Sequence, residues 1–412
     1  MRTVSDHQQA VSALFGPPET ALTPVRDALN LVIAADTPAP ISMPSFDNSA
    51  MDGYAVRAAD IADAAEQQPV HLPIVADIPA GRTDAVTHVG GTAARIMTGA
   101  PVPAGADTIV PVELTDGGFA DVLTPDATVG IRSAVAAGKH IRTAGGDIEH
   151  GEVAIAAGTV IRAPQIGLLA ALGIVDIAVF RPLRVAILST GSELVAPGNP
   201  LRHGQIYESN GPMLTAAAIE AGAVAEHVHF VPDNTVDFRS RLDEVSSNAD
   251  LIITSGGVSA GAYEVVKEAL RATGTVEFVK VAMQPGMPQG SGHYRAPDGR
   301  AVPIITLPGN PVSALVSFEI FIRPPLRAAM GLSAHRPRRV ARLTEEIHSP
   351  KAKRQFLRGV LSAESDGGWQ VKPIGPPASH HLRYLAAANA LIDVPVGVTE
   401  LTAGTKVEVI AT

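Results

Sequence analysis

The chain has 412 residues, a formal net charge of −9, 46% hydrophobic and 18% charged residues, 4% aromatics and no cysteine. At roughly 100–200 residues per domain it holds several domains, and the lack of cysteine excludes a disulfide scaffold, a thiolate zinc site, an iron–sulfur cluster and a thiol nucleophile. The acidic balance and the few aromatics argue against a general nucleic-acid binder, although a local pocket can oppose the global sign.

The first residues carry no basic stretch followed by an apolar run, so no secretory leader is expected. The richest apolar run, from Ile166 to Phe180, is interrupted by Asp176 and is shorter than a membrane span. The expectation is a soluble, cytoplasmic protein with neither membrane nor nucleic acid as partner. Residues 1–45 and 135–178 read as one discontinuous, mixed N-terminal linker domain, with Pro164 at a helix start and Gly173 near its end. Between them, 46–134 alternates short β-rich runs at 70–78, 93–99 and 107–114 with Gly and Pro turns, as a small inserted β domain would.

Residues 179–332 change texture. Strands are predicted at 184–190, 225–231, 250–256, 276–282 and 303–309, with helices at 211–223, 234–247, 264–272 and 311–330 between or after them. Strands alternating with helices imply parallel βαβ units and a central doubly wound, mostly parallel sheet. The C-terminal 333–412 returns to short strands, with period-2 alternation in Lys406-Val-Glu-Val-Ile410, and predicts a small β-barrel, with a sandwich as the alternative. The fold class is thus multidomain, α/β and β.

An open parallel sheet binds ligands beyond the carboxyl ends of its strands. Three such ends carry small polar loops: Ser189-Thr-Gly-Ser-Glu193, Thr254-Ser-Gly-Gly-Val-Ser-Ala-Gly261 and Leu307-Pro-Gly-Asn-Pro-Val-Ser313. Glycine lets backbone N–H groups approach a phosphate, and hydroxyls add donors. One such loop alone is an ordinary turn; three together point to an extended anionic ligand across one sheet edge. None is a P-loop, since Gly-Lys-Ser/Thr is missing. Gly257-Val-Ser259-Ala-Gly261 matches a hydrolase nucleophile elbow, but no histidine follows at a clear strand end and no oxyanion motif precedes it. The acids Asp52, Asp147, Glu193, Asp233 and Glu264 fall in turns or at element ends, where they could hold a hard cation or simply cap a helix, as Asp233 would. His227 and His229 share a strand face without a third ligand and read as packing. Two basic runs, one with Lys351, Lys353, Arg354 and Arg358, the other with Arg336, Arg338 and Arg339, are either solvated surface or local positive charge for an anion.

Together with Phe46-Asp-Asn-Ser-Ala-Met-Asp-Gly-Tyr-Ala-Val56, these loops closely resemble the MoeA family of molybdopterin molybdenumtransferases, related to the gephyrin E domain, over essentially the whole chain. The resemblance implies a homodimer of four-domain protomers whose central domain is shared with MogA-type molybdopterin-binding proteins. It implies insertion of molybdate into adenylated molybdopterin, with Mg²⁺-dependent cleavage of the phosphoanhydride and release of AMP and molybdenum cofactor, and a MogA-type adenylyltransferase as a partner. It assigns catalysis to Asp52, Asp147, Glu193, Asp233 and Glu264, with Glu193, Asp233 and Asp52 on the metal and Glu264 where the family usually has Asp. Ligand binding falls to Ser189, Thr190, Gly191, Ser255, Gly256, Gly257, Ser259, Lys280, Pro308, Gly309 and Asn310, with Ser313, Lys353, Arg354, Arg358 and Ser379 on the molybdate side. One departure stands out: the turn often written Lys-Pro-Gly-Lys-Pro in the family is Gln284-Pro-Gly-Met-Pro288 here, so two cations are replaced by neutral groups and molybdate binding should weaken by a few kcal/mol. Two alternatives to the enzyme follow: a molybdopterin-binding scaffold without turnover, and a serine hydrolase using Ser259.

Overall fold

A computed structural model describes residues 1–412 apart from 119–123, 125, 229–234, 257–265, 267–268, 271–275 and 366. The chain opens with helix α1 (Val4–Ser12), capped by the Thr3 hydroxyl, which accepts from the Asp6 N–H. Its buried residues Val4, His7 and Val11 lie on one face. That face packs into the core of the central layer rather than into the mixed linker segment where the sequence placed it. The cause is an apolar partner: His7 meets Phe321 edge-on at 4.6 Å, and Gln8 Nε2 donates to the Ile320 carbonyl.

The linker region is held by two short antiparallel ladders, Thr20–Pro24 with Asp176–Phe180 and Thr37–Pro38 with Val153–Ile155. Within it, helix α2 (Ala163–Ala171) starts with Pro164 in its first turn. Five strands, β1 (Gly53–Val56), β2 (Val70–Ile78), β3 (Ala93–Ile96), β4 (Thr108–Pro111) and β5 (Thr128–Ile131), form a separate sheet in the order β4-β1-β3-β2-β5.

The central sheet contains β6 (Arg184–Ser189), β7 (Val224–Val228), β8 (Leu251–Ser255), β9 (Glu277–Lys280), β10 (Pro288–Arg295) and β11 (Ala301–Leu307), in the order β7-β6-β8-β11-β10-β9. The four strands β7, β6, β8 and β11 are parallel, while β10 runs antiparallel to both β11 and β9. Side chains alternate across it. Val185, Ile187, Ile253 and Ile305 face α1 and helix α3 (Asn210–Glu220). Ala186, Leu188, Ile252 and Ile304 face Phe238 and Leu242 of α4 (Thr235–Ser246).

Strand β10 has no counterpart among the strands predicted from the sequence. Its Pro-Gln-Gly-Ser-Gly-His sequence lacks β-branched residues, yet most of it is buried, and a side chain on Gly290 would come 2.2 Å from Thr306 Oγ1. The predicted helix at 311–330 is three pieces: α5 (Pro311–Ser317), a π-helical turn at Phe318–Ile322 and α6 (Arg323–Ala328), which Pro324 and Pro325 open. The predicted helix at 264–272 lies mostly outside the described residues.

The C-terminal strands β12 (Arg338–Leu343), β13 (Arg354–Ala363), β14 (Trp369–Pro373), β15 (Ala390–Val394) and β16 (Lys406–Ala411) close into a five-stranded barrel, because β13 pairs with both β14 and β15. Met283–Gln284 pairs with the start of β13 and so splices the barrel to the central layer. No helix among the described residues is long and apolar enough to cross a membrane.

Candidate active site

The carboxyl ends of β6, β8 and β11 meet at one rim. Ser189 and Ser255, the last residues of their strands, are buried, and the Thr190 N–H donates to the Ser255 carbonyl at 3.0 Å. Gly256 follows at φ +98°, with the Thr190 carbonyl 2.3 Å from where a Cβ would stand, and Gly309 packs against the Gly256 Cα. Only glycine allows the three chains to approach this closely. Gly191 is less constrained, since a Cβ there would lie 2.6 Å from the carboxylate of Glu193, an exposed side chain free to move aside.

Asn210, at the start of α3, joins the loops. Its Nδ2 donates to Ser255 Oγ at 2.8 Å and to the Gly309 carbonyl at 2.7 Å. Its Oδ1 and the Thr190 and Thr254 hydroxyls are buried without a hydrogen-bond partner. Such groups are costly to bury unpaired. Beyond β11, Pro308 and Ser313 are buried and Asn310 is exposed. Lys280 is exposed at the end of β9, which runs with β11 two antiparallel steps away and so reaches the same rim.

The expected molybdate side divides. Ser379 belongs to this neighbourhood, its carbonyl accepting from the Val312 N–H at the start of α5. Arg358 does not present a free charge: it is buried, and it donates to the carbonyls of Pro376, Ala378 and His381. Burial lowers its guanidinium pKa below the usual range. Arg354 forms a fork with buried Asp393, at 2.7 and 2.6 Å, and this hydrogen bonding raises its pKa. Lys353 is half-buried next to it. Gln284, at the turn where the family has lysine, accepts a hydrogen bond from Gln355 at 3.4 Å.

Of the five expected acids, Asp52, Asp147 and Glu193 lie among the described residues. Asp52 is exposed in the five-stranded sheet, where its Oδ1 accepts from the Thr98 N–H and hydroxyl at 2.7 and 2.9 Å; those bonds hold its carboxyl below the ordinary range. Asp147 is exposed in the turn whose N–H groups bond back to Met43. Glu193 is exposed at the rim. Asp233, Glu264, Gly257 and Ser259 lie outside the described residues. Among the described residues no three His, Cys, Asp or Glu side chains form a metal centre; the expected grouping of Glu193, Asp233 and Asp52 includes Asp233, which lies outside them. Asp52 is turned toward Thr98 of its own sheet.

Residues 2–173 match the MoeA N-terminal region (domain I and II), 186–328 the family described as "Probable molybdopterin binding domain", and 340–412 the MoeA C-terminal region (domain IV). The chain is 51% identical, over 99% of both chains, to "Molybdopterin molybdenumtransferase 2" of Mycobacterium tuberculosis. It belongs to the molybdopterin molybdenumtransferase family. A relative of the same name from Haemophilus influenzae is 33% identical over 91% of this chain and 90% of its own. The crystal structure of a molybdopterin biosynthesis MoeA protein from Pyrococcus horikoshii superposes with a TM-score of 0.81 at 30% identity, covering 99% of this chain and 98% of that one. The MoeA architecture expected from the motifs is therefore the architecture found, and the chain is an enzyme of molybdenum cofactor biosynthesis.

Membership in this family does not identify every residue the rim depends on. No motif in the sequence points to Asn210 or Glu208, and His227 reads there as packing; all three lie beside the loops. The signal available for them was a polar Glu208-Ser-Asn-Gly-Pro212 run at a helix start.

Proposed function

We propose that this enzyme binds adenylated molybdopterin along the rim formed by the Ser189, Ser255 and Gly309 loops and inserts molybdate at its dithiolene, one oxo group leaving as water with the two thiol protons as the Mo–S bonds form, while a water adds to phosphorus as one P–O–P linkage breaks, so that AMP leaves with the molybdenum cofactor. The observation that carries this reading is the convergence of three donor-rich loops, cross-linked by Asn210, around buried hydroxyls with no partner. Thr190 and Thr254 supply O–H donors, and the glycines let an anion approach the backbone. Lys280 brings positive charge to that end of the sheet. With Arg354 and Arg358 engaged elsewhere, Ser313, Lys353 and the loop at Ser379 are the remaining candidates for molybdate.

Magnesium takes one or two protein carboxylates and completes its shell with water and substrate phosphate oxygens. Glu193, exposed at the rim, fits that donor pattern, whereas an all-protein cage does not fit the described residues. Bound there, the ion would offset the charge of the phosphoanhydride. We place the enzyme in the cytoplasm as a homodimer, with a MogA-type adenylyltransferase as supplier of the adenylated substrate.

Incubation with adenylated molybdopterin, molybdate and Mg²⁺, followed by measurement of AMP, tests the reading. AMP release that falls at least about 100-fold in Glu193→Ala supports it, the size of loss typical when a charge-stabilising group is removed. Absence of AMP from the wild type at saturating molybdate overturns it.

A further inference from the structure

Beneath the rim lies a carboxylate with no access to the ligand. The Glu208 side chain is 2% exposed. Its Oε1 accepts two hydrogen bonds, from Ser189 Oγ at 2.8 Å and from the Gly211 N–H at 2.7 Å. Its own N–H donates to the Val195 carbonyl. Oε2 has no hydrogen bond and faces His227 Nε2 at 3.6 Å, while the same nitrogen stands 3.5 Å from Ser189 Oγ. Gly211 closes the cluster from above: a Cβ there would fall 2.1 Å from His227 Nε2.

The position of this oxygen matters more than its charge. Ser189 ends β6, and Gly211 follows Asn210, whose amide holds the Ser255 and Gly309 loops. One buried atom therefore fixes the distance between the first rim loop and the residue that cross-links the other two. A buried carboxylate left partly unpaired is expensive, and a merely structural link here could be made by an apolar contact.

We propose that Glu208 is a positioning residue for the reaction: it sets the spacing of the Ser189 loop and Asn210, and through them the width of the anion-binding rim. This rests on the function proposed above. Glutamine retains an oxygen with two lone pairs at the same reach and puts its NH₂ toward His227, so Glu208→Gln should keep the spacing; Glu208→Ala removes it.

The test combines AMP-release kinetics with amide hydrogen exchange. In Glu208→Ala, the KM for adenylated molybdopterin should rise at least about tenfold while kcat changes less than about threefold, the signature of lost binding geometry without lost chemistry. In Glu208→Gln both constants should stay within about threefold of wild type. Exchange in Glu208→Ala should accelerate at Thr190, Asn210 and Gly211 and remain unchanged in β8 and β11. Equal damage in Glu208→Gln and Glu208→Ala would overturn the proposal, as would unchanged exchange at those amides. If Glu208→Ala does not fold, Ser189→Ala replaces it, because it cuts the same link with a smaller cavity; unaltered KM there overturns the proposal. Should the wild type release no AMP, the proposed function falls, and the exchange arm still decides the role of Glu208.

Discussion

At the residue scale the rim depends on positions where nothing but hydrogen fits. Gly256 combines φ +98° with a carbonyl 2.3 Å from a would-be Cβ. Gly256→Ala should cost about 1–3 kcal/mol from backbone strain alone, and more in function, since relief must push the Thr190 loop from the Ser255 loop. A thermal midpoint lowered by a few degrees together with a raised KM would bear this out; an unchanged KM would show that the loop spacing is not part of binding. His7 tests burial instead of contact. It is fully buried with both ring nitrogens unpartnered, and burial first, then the Arg2 charge, lower its pKa from 6.5 to about 4 against an opposing pull from Glu277. Between those values the unfolded chain takes up a proton that the folded chain refuses. Stability must therefore fall as pH drops through that window and level off below it, by about 3 kcal/mol in all. Urea midpoints measured across the window should show this slope in the wild type, and His7→Leu should flatten it.

At the element scale, strands that advertise themselves are those with apolar, β-branched runs: β6, β8 and β11 could be read from Arg184-Val-Ala-Ile-Leu188, Leu251-Ile-Ile253 and Ile304-Ile305 because both of their faces are covered. Strand β10 was hidden because its neighbours leave room only for small residues, so burial selected glycine and serine instead of valine. The loops after the readable strands were legible for the same reason the strands were. Glu208 and Asn210 were not, since they follow the excursion from Leu194 to Tyr207 and are brought back only by tertiary contacts. Charge proved a poor guide in the barrel. Arg354 reads as an anion ligand in a basic run, yet β13 aims it at Asp393 of β15, where Arg338 also reaches at 3.3 Å. Arg354→Ala should thus destabilise by about 2–4 kcal/mol, the cost of leaving a buried carboxylate partly unpaired. The molybdate concentration for half-maximal AMP release should change less than about twofold, the outcome for a group that makes no ligand contact. A large shift in that concentration with intact stability would return Arg354 to the anion site.

At the scale of the whole molecule the division of labour between sheets poses the sharpest question. Asp52 immediately precedes β1 of the five-stranded sheet, with its carboxylate exposed and anchored by Thr98, whereas Glu193 lies just past the rim of the six-stranded sheet. Among the described residues no strand pairing joins these two sheets. We propose, from the family resemblance of the motifs, that both acids nevertheless serve one site. The proposed homodimer reconciles the two facts if Asp52 serves the rim of the other copy, because a two-fold axis makes the exchange reciprocal and leaves both sites complete. Asp52→Ala and Glu193→Ala would then be inactive alone, while mixed dimers would carry one site with both acids and one with neither. After random exchange of subunits the mixture should regain about a quarter of wild-type AMP release, half of the dimers having one working site of two. A mixture that stays inactive, although labelled subunits demonstrably exchange, would mean that both acids act within one chain.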